Sequence, residues 1–438
     1  MRVLIVSQYW APENGVPQRR LAWISEILVN AGHQVLVIAP PPNFSRKVNL
    51  GTWLRKQLFK PAKSIECGEK GERILRTGFV PAGRSLSLRI LHQGTVALGM
   101  LWAAAARRQI VAEFQPDLVV GTVPALPTVV VARLVSELLK VPYAIDLRDA
   151  WPDLLRDWEK WNEEVGTPSI RERLLSKGPA QALVFFVEKV VESCLNRADG
   201  LVLTSSYLAQ EMEKDRRQAG LRKIPIEVVR NVFPAAVLLE KQPNPTKASL
   251  NVLYAGTIGR AQQLSNAIYA VNLASQQGVE ICLKILGDGA AKSSLEDLAK
   301  KLNVNVSFEG KAEPDKLRHY YEWADTALVH LAEWKPLERA VPSKTYELMD
   351  LGLHISAVAR GETAEIVRNY EAGFVVEPGD PGALAREWEV LARNRDKLQV
   401  GSRASSWVEY EREKASPKAL FSLLSQFEQS GDSDERAF

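Results

Sequence analysis

In the stretch Val341-Pro342-Ser343-Lys344-Thr345-Tyr346-Glu347, a lysine and a glutamate stand three positions apart, just after a Pro-Ser pair that suits the start of a helix. Gly352 suits its end. On a helix, Lys344 and Glu347 share one face. The first-turn N–H groups of a helix have no intrahelical partner, and the macrodipole is positive there, so a phosphate settles at that end. Ser343 opens this turn, and Lys344 adds a mobile point charge suited to a diphosphate. The Glu347 carboxylate is unsuited to phosphate and suits vicinal hydroxyls, such as those of a ribose. Cation, helix start and hydroxyl acceptor together describe a grip for a nucleoside diphosphate. The plainer alternative is a surface helix with an i,i+3 ion pair.

Other loops carry related chemistry. In Val252-Leu253-Tyr254-Ala255-Gly256-Thr257-Ile258-Gly259-Arg260, a strand runs into a glycine-spaced turn. Gly256 and Gly259 let backbone approach a ligand closely, and Arg260 can clamp a diphosphate through two parallel hydrogen bonds. The alternative is a structural turn with a solvated arginine. Gly287-Asp288-Gly289 reads as a tight strand-to-helix turn in which Asp288 caps. Backbone at Phe308-Glu309-Gly310-Lys311 can meet the edge of a planar base. Gly15, in the loop Tyr9–Pro17, either faces a cleft or supplies a positive φ. Asp146-Leu147-Arg148-Asp149 ends a strand at a rim, where Arg148 and Asp149 either face the cleft or pair with each other.

The elements that must position these residues follow from periodicity. Strands are expected near Val3–Ser7, Gln34–Ala39, Arg73–Gly78, Asp117–Thr122, Tyr143–Asp149, Leu201–Ser205 and Glu227–Asn231. A second series is expected near Val252–Ala255, Ile281–Leu286, Val304–Glu309, Ala327–Leu331, His354–Val358 and Phe374–Glu377. Between the first two strands Leu21, Ile24, Leu28 and Val29 recur at helical spacing and Gly32 stops the helix, giving a βαβ unit. Repetition of that unit predicts parallel sheets covered on both faces. The expected organisation is a first doubly wound domain over 1–235, a polar, proline-rich linker over 236–250, a second over 251–405, and a C-terminal helix and tail over 406–438. Two such domains face each other across a cleft, the default site for ligands.

A chain of 438 residues supports two sizeable cores. Cys67, Cys194 and Cys282 are scattered, which fits a reducing cytosol and excludes a disulfide framework. The N-terminus enters a strand pattern without a signal-peptide pattern, and no apolar run reaches the length of a membrane span. Net charge is +4, but between Arg46 and Arg108 basic residues far outnumber acidic ones. Arg55, Lys56, Lys60, Arg84 and Arg89 mark this region as the expected acceptor and membrane face. The apolar segment around Leu98, Met100, Leu101 and Trp102 either dips into a membrane interface or lies in the core. No reader motif for nucleic acid is present. His33, His92, His319, His330 and His354 are dispersed, so no metal site is expected; His92 reads as a base near the acceptor or as a core or surface residue.

The turn Tyr254 to Arg260, Gly287-Asp288-Gly289, Phe308-Glu309-Gly310, Pro342-Ser343-Lys344 with Tyr346-Glu347, and Val376-Glu377-Pro378-Gly379-Asp380 occur in this order. With Arg148-Asp149-Ala150-Trp151-Pro152 and Val229-Arg230-Asn231, the chain resembles the retaining nucleotide-sugar glycosyltransferases of family 4, which have the two-Rossmann GT-B fold. It is most similar to bacterial members that build O-antigen, capsule and exopolysaccharide. The resemblance implies that Arg260 and Lys344 bind the donor diphosphate, Glu347 the ribose and backbone at Lys311 the base, usually uracil. It places Gly15 beneath the donor phosphates or the acceptor, and Asp149 near the reacting centre. The implied reaction moves a sugar from a nucleotide donor to a lipid-linked or glycan acceptor, without a metal or other cofactor, on the cytoplasmic side and in peripheral contact with the inner membrane. Alternatives are a 2-epimerase of the same fold and a non-catalytic subunit that binds nucleotide sugar or scaffolds a complex. There are departures. Arg339 stands eight residues before Glu347, where the family often has a glutamate; Gly15 is followed by Val16 and Asn231 by Val232. Ala261, not lysine, follows Arg260.

Overall fold

The central strands of this chain are apolar on both faces and find a core on either side. In Arg2–Val6 (β1), Val3 and Ile5 enter one cluster while Leu4 and Val6 enter the opposite one. That is the pattern of a parallel sheet covered by helices. The computed structural model describes residues 1–13, 15–42, 50–81, 86–123, 125–151, 153, 179–234, 249–312 and 314–434.

The first sheet contains β1, Gln34–Ala39 (β2), Glu66–Cys67 (β3), Arg73–Arg76 (β4), Leu118–Val123 (β5), Tyr143–Leu147 (β6), Gly200–Leu203 (β7) and Ile226–Val228 (β8), in the order β3-β4-β2-β1-β5-β6-β7-β8. The second contains Leu250–Ala255 (β9), Ile281–Leu286 (β10), Val306–Glu309 (β11), Thr326–His330 (β12), Ile355–Val358 (β13) and Gly373–Val376 (β14), in the order β11-β10-β9-β12-β13-β14. All pairings are parallel except that of β3 with β4, an antiparallel edge outside the expected repeat. The expected strands are present with shifted ends. Arg73–Gly78 stops at Arg76, Val304–Glu309 begins at Val306, and the strand placed at Glu227–Asn231 lies at Ile226–Val228. The expected linker falls mostly on 235–248, outside the described residues, and Leu250 already belongs to β9.

The two sheets share one core on their inner sides. Val232 and Phe233, after the last strand of the first sheet, lie in the same cluster as Leu348 and Met349 of the second domain. The helix expected over Lys418–Gln429 runs over Ser416–Asp434 and returns to the first sheet. There Ser422 Oγ donates to Glu227 at 2.6 Å, and Leu423 lies so close to Gly200 that a Cβ there would stand 2.9 Å from its Cδ1.

One buried ion pair ties the first domain together. Arg20, on the helix Val16–Asn30, is 0% exposed. Its Nη2 donates to Asp146 Oδ1 at 2.7 Å, and its Nη1 donates to the Val229 carbonyl at 2.8 Å and to Asn231 Oδ1 at 3.2 Å. Thr122 Oγ1 donates to Asp146 Oδ2 at 3.0 Å. The pair therefore links the first helix, β5, β6 and the segment after β8, and Asn231 serves it as an acceptor. Removing one partner strands the other as a buried charge. Asp146→Ala is expected to destabilise the protein by ~3–5 kcal/mol in urea unfolding, while Arg20→Met with Asp146→Leu should lose far less than the sum of the single changes.

Candidate functional site

In each sheet the direction of winding reverses beside one strand. β1 lies between β2 and β5, and β9 lies between β10 and β12. Ligands bind outside the carboxyl ends of strands at such switch points. The loop after β1 ends at Gly15, and the loop after β9 holds Gly256, Gly259 and Arg260.

Gly15 precedes the helix Val16–Asn30 with φ −108° and ψ 170°, so it does not supply a positive φ. A Cβ there would stand 2.5 Å from Gln18 Oε1. Gly259 is also extended, at φ −111°, and opens a 3-10 turn over Arg260–Gln262. The Gly256–Ile258 segment is packed against the next loop. A Cβ on Gly287, at φ +150°, would stand 1.9 Å from the Gly256 carbonyl oxygen. Ile258 N donates to the Asp288 carbonyl at 3.0 Å. Asp288 does not cap the following helix, which begins at Lys292 behind Ala291; its Oδ1 accepts from Gly289 N at 2.9 Å. The Arg260 turn is braced laterally by Ala332 N, which donates to the Ala261 carbonyl at 2.9 Å. Beneath it, Asn266 Nδ2 lies 3.1 Å from His330 Nε2, and burial pulls His330 down to about 3, so this imidazole is neutral.

The helix Ser343–Asp350 starts behind Pro342 without a side-chain cap, and Gly352 at φ +62° follows it. Lys344 Nζ donates to Glu347 Oε2 at 2.9 Å, so the i,i+3 pair exists. It is part of a larger constellation. Lys344 Nζ also donates to the Tyr321 hydroxyl at 2.8 Å, and that hydroxyl donates to Glu347 Oε1 at 2.8 Å. Burial raises the Glu347 carboxyl, but Lys344, Tyr321 and Arg19 outweigh it and hold the group below the ordinary glutamate range. Glu347 is thus an ionised acceptor. Arg19 of the first domain adds an electrostatic pull on it; its guanidinium lies 4.6 Å from the centre of the Phe233 ring and its Nη2 donates to the Pro234 carbonyl. Tyr321 and Arg19 were not legible as site residues, since neither lies in a recognisable motif.

Of the remaining expected residues, Lys311, Ser343 and Asp149 fall at the same edges. Lys311 is exposed just after β11 and Ser343 opens the grip helix. Asp149 follows β6; burial pushes its carboxyl up, against the pull of Arg148 and Trp151. Arg148 and Asp149 feel each other electrostatically, yet among the described residues no ion pair or hydrogen bond joins them. Arg55, Lys56 and Lys60 are exposed on the flank of the first domain. Arg84 and the Arg89 side chain lie outside the described residues. His92 is buried, with Nδ1 2.5 Å from the Val80 carbonyl oxygen.

The carboxyl edges meet at a joint made by Glu362. This residue lies in the first turn of the helix Gly361–Asn369. Its Oε1 and Oε2 accept from Ser206 N at 3.0 Å and Tyr207 N at 2.8 Å, two first-turn donors of the helix Ser206–Gln218 in the other domain. Arg230 Nη1 donates to Glu362 Oε1 at 2.5 Å and to the Tyr346 hydroxyl at 3.3 Å. Ser205 Oγ donates to the Arg339 carbonyl at 2.6 Å, and Arg339 Nη2 to Asp153 Oδ2 at 2.6 Å. Beside these contacts is an interdomain cavity of about 400 Å³, lined by Asp153, Tyr207, Lys335, Glu338 and Arg339 among others.

Two facing parallel sheets, with this grip on the second, define the GT-B class. The chain belongs to the family 4 glycosyltransferases: residues 239–413 match the model for glycosyl transferases group 1, and residues 15–231 match the glycosyl transferase 4-like domain. Over 256 residues it is 22% identical to the lipopolysaccharide 1,2-N-acetylglucosaminetransferase of Salmonella typhimurium, covering 55% of this chain and just under two thirds, 64%, of that protein. Its fold is similar to sucrose-phosphate synthase of Thermosynechococcus elongatus, with TM-score 0.67 and 15% identity over 98% of this chain and 99% of that one. It is also similar to HepE of Anabaena in complex with UDP and glucose, with TM-score 0.60 and 16% identity over 97% of this chain and 100% of that one.

The joint should titrate. Burial raises the Glu362 carboxyl, and Arg230 with the two backbone N–H groups outweighs it, so its folded value lies below the ordinary one. The stability it contributes is present above the unfolded value, about 4.3, and is lost as pH falls through the folded value. Glu411, raised chiefly by burial, acts in the opposite direction. Glu362→Gln is therefore expected to melt lower than wild type at neutral pH, and the difference should shrink on acidification below pH ~4. Thermal melts of both proteins across that range check this.

Proposed function

We propose that the protein transfers a sugar from a UDP-sugar to a hydroxyl of a lipid-linked glycan, with retention of anomeric configuration. The observation that carries this reading is the Lys344–Tyr321–Glu347 constellation at a helix start facing Arg19 of the other domain. When a nucleoside diphosphate enters, Lys344 exchanges its carboxylate partner for phosphate oxygens. Glu347, still held through one oxygen by Tyr321, accepts from the ribose hydroxyls. The bond to the diphosphate stretches first, the sugar becomes oxocarbenium-like, and negative charge grows on the leaving group. Lys344, Arg260 and the first-turn N–H groups bind that charge more strongly in the transition state than in the ground state, which accelerates the step. The leaving phosphate takes the acceptor's proton on the same face. In this scheme the protein's own cations neutralise the diphosphate, and no metal is assigned a role.

The acceptor side of the proposal rests on the first domain. In the helix Leu86–Ala106, Leu91 (58% exposed), Leu98 (66%) and Trp102 (47%) recur on one face. Met100 is fully buried, which fits the core alternative for its side of the helix. Exposed Leu54 and Phe59 lie on the segment that packs under Gly78, whose carbonyl in turn abuts Gly99 of this helix. Arg55, Lys56 and Lys60 accompany them. An apolar face rimmed by basic residues suits an anionic membrane surface. No helix among the described residues is long and apolar enough to cross a membrane.

Lys344→Ala and Glu347→Ala are each expected to weaken UDP binding about tenfold or more in calorimetry, from the loss of charge-assisted hydrogen bonds of ~1.5–3 kcal/mol. Unchanged affinity in both would reduce the constellation to a surface ion pair. Leu98→Glu combined with Trp102→Glu should abolish co-sedimentation with anionic vesicles while leaving UDP affinity intact.

A further inference from the structure

Arg148 stands one residue beyond β6, at the carboxyl edge of the first sheet. Its Nε and Nη1 are buried and have no hydrogen-bond partner among the described residues. Its main chain is fixed, because Thr204 Oγ1 donates to its carbonyl at 2.7 Å. Among the described residues, the charged and titratable groups that act on the guanidinium are Asp149, Arg20, Asp146 and Tyr9. Asp146 is already engaged by Arg20 and Thr122. Asp149 is the remaining counter-charge, and burial pushes its carboxyl toward the neutral form. A second buried donor with no partner among the described residues, Trp10 Nε1, follows Tyr9 in the loop after β1. Buried polar groups in native proteins are almost always hydrogen-bonded, and burying a charged group without its acceptors is costly.

We infer that Arg148 forms an oxyanion subsite on the first domain, and that this subsite holds a phosphoryl group of the acceptor. The Nε–H and Nη1–H groups lie on different edges of the guanidinium plane. A carboxylate matches one edge, whereas a diphosphate, with oxygens on two phosphorus centres, can accept from both. The subsite belongs to the first domain, whereas the cations assigned to the donor, Arg260 and Lys344, belong to the second. The acceptor is thus a phosphate- or diphosphate-bearing molecule. This rests on the transfer reaction proposed above. It adds to that reading a charge requirement on the acceptor and a residue that meets it.

Calorimetry on the full chain saturated with UDP, titrated with inorganic pyrophosphate, tests the subsite. Pyrophosphate is expected to bind the wild type, to bind Arg148→Gln at least tenfold more weakly, and to bind Arg148→Lys with intermediate affinity. UDP affinity should stay within twofold in both variants. Because two nitrogens of the guanidinium have no acceptor among the described residues of the free protein, Arg148→Gln should melt at or above the wild-type temperature. Three results would each overturn the assignment. They are equal pyrophosphate binding by wild type and Arg148→Gln, a loss of UDP affinity in Arg148→Gln (which would give the arginine to the donor diphosphate), and a lower melting temperature in Arg148→Gln and Arg148→Lys alike. Should UDP bind none of the proteins, the donor reading fails by itself, and pyrophosphate titrated without UDP still reports on Arg148.

Discussion

The carboxylate of Glu362 decides how the two halves of the molecule meet. A helix N-terminus exposes N–H groups that nothing in the helix can satisfy. Here those of Ser206 and Tyr207 in the first domain are satisfied from the second, by one side chain. Burying that carboxylate requires a counter-charge, and Arg230 provides it from the segment after β8. Arg230 also touches the Tyr346 hydroxyl, on the helix that carries Lys344 and Glu347, and lies over the Trp407 ring at 5.6 Å. The position of the grip relative to the first domain is therefore set by the joint. Backbone packing reinforces it, since a Cβ at Gly361 (φ +64°) would stand 2.0 Å from the Glu338 carbonyl oxygen, and Thr363 Oγ1 donates to the Ala340 carbonyl at 2.7 Å. These contacts hold the segment that leads into the grip helix.

The architecture was legible because it rests on short-range rules. Strand runs apolar on both faces, alternating with helical spacing, leave few choices other than covered parallel sheets. The same logic placed Gly256, Gly259, Arg260, Lys311, Ser343 and Lys344 at one edge, since loops after parallel strands all emerge there. What the pattern could not carry was the pairing between distant segments. Tyr321 is 23 residues from Lys344 in sequence, and its hydroxyl closes the constellation only because the helix Pro314–Trp323 packs beside the grip helix. Glu362 and Arg230 are 132 residues apart and belong to different domains. The short antiparallel β3 and the docking of the expected C-terminal helix on the first sheet were not legible for the same reason, as each is justified by a surface that the rest of the chain must first build.

The departures from the family pattern have local physical reasons. Val232 fills the shared core between the domains, so a side chain there adds buried area. Arg339, where a glutamate is usual, is neutralised by Asp153 of the first domain, and its carbonyl is held by Ser205. The charge reversal at this position is therefore balanced across the domain boundary. It also changes what the neighbouring cavity offers to a ligand, because Lys335 and Arg339 stand there with Glu338 and Asp153.

Two arginines on the inner edge of the first sheet show the difference between holding a fold and holding a ligand. Arg20 has all its nitrogens engaged, by a carboxylate, two carbonyls and an amide oxygen. Its charge is fully compensated, and it sits deeper than Arg148. Arg148 is two residues from Asp146, the partner of Arg20, and that carboxylate is already taken. Folding alone leaves Arg148 Nε and Nη1 without an acceptor among the described residues. A group kept in that state lowers the stability of the free protein, and the loss is offset only when a ligand supplies the missing acceptors. The joint at Glu362 and the pair at Arg20 and Asp146 provide the rigidity that makes such a local loss tolerable, because neither depends on what occupies the cleft.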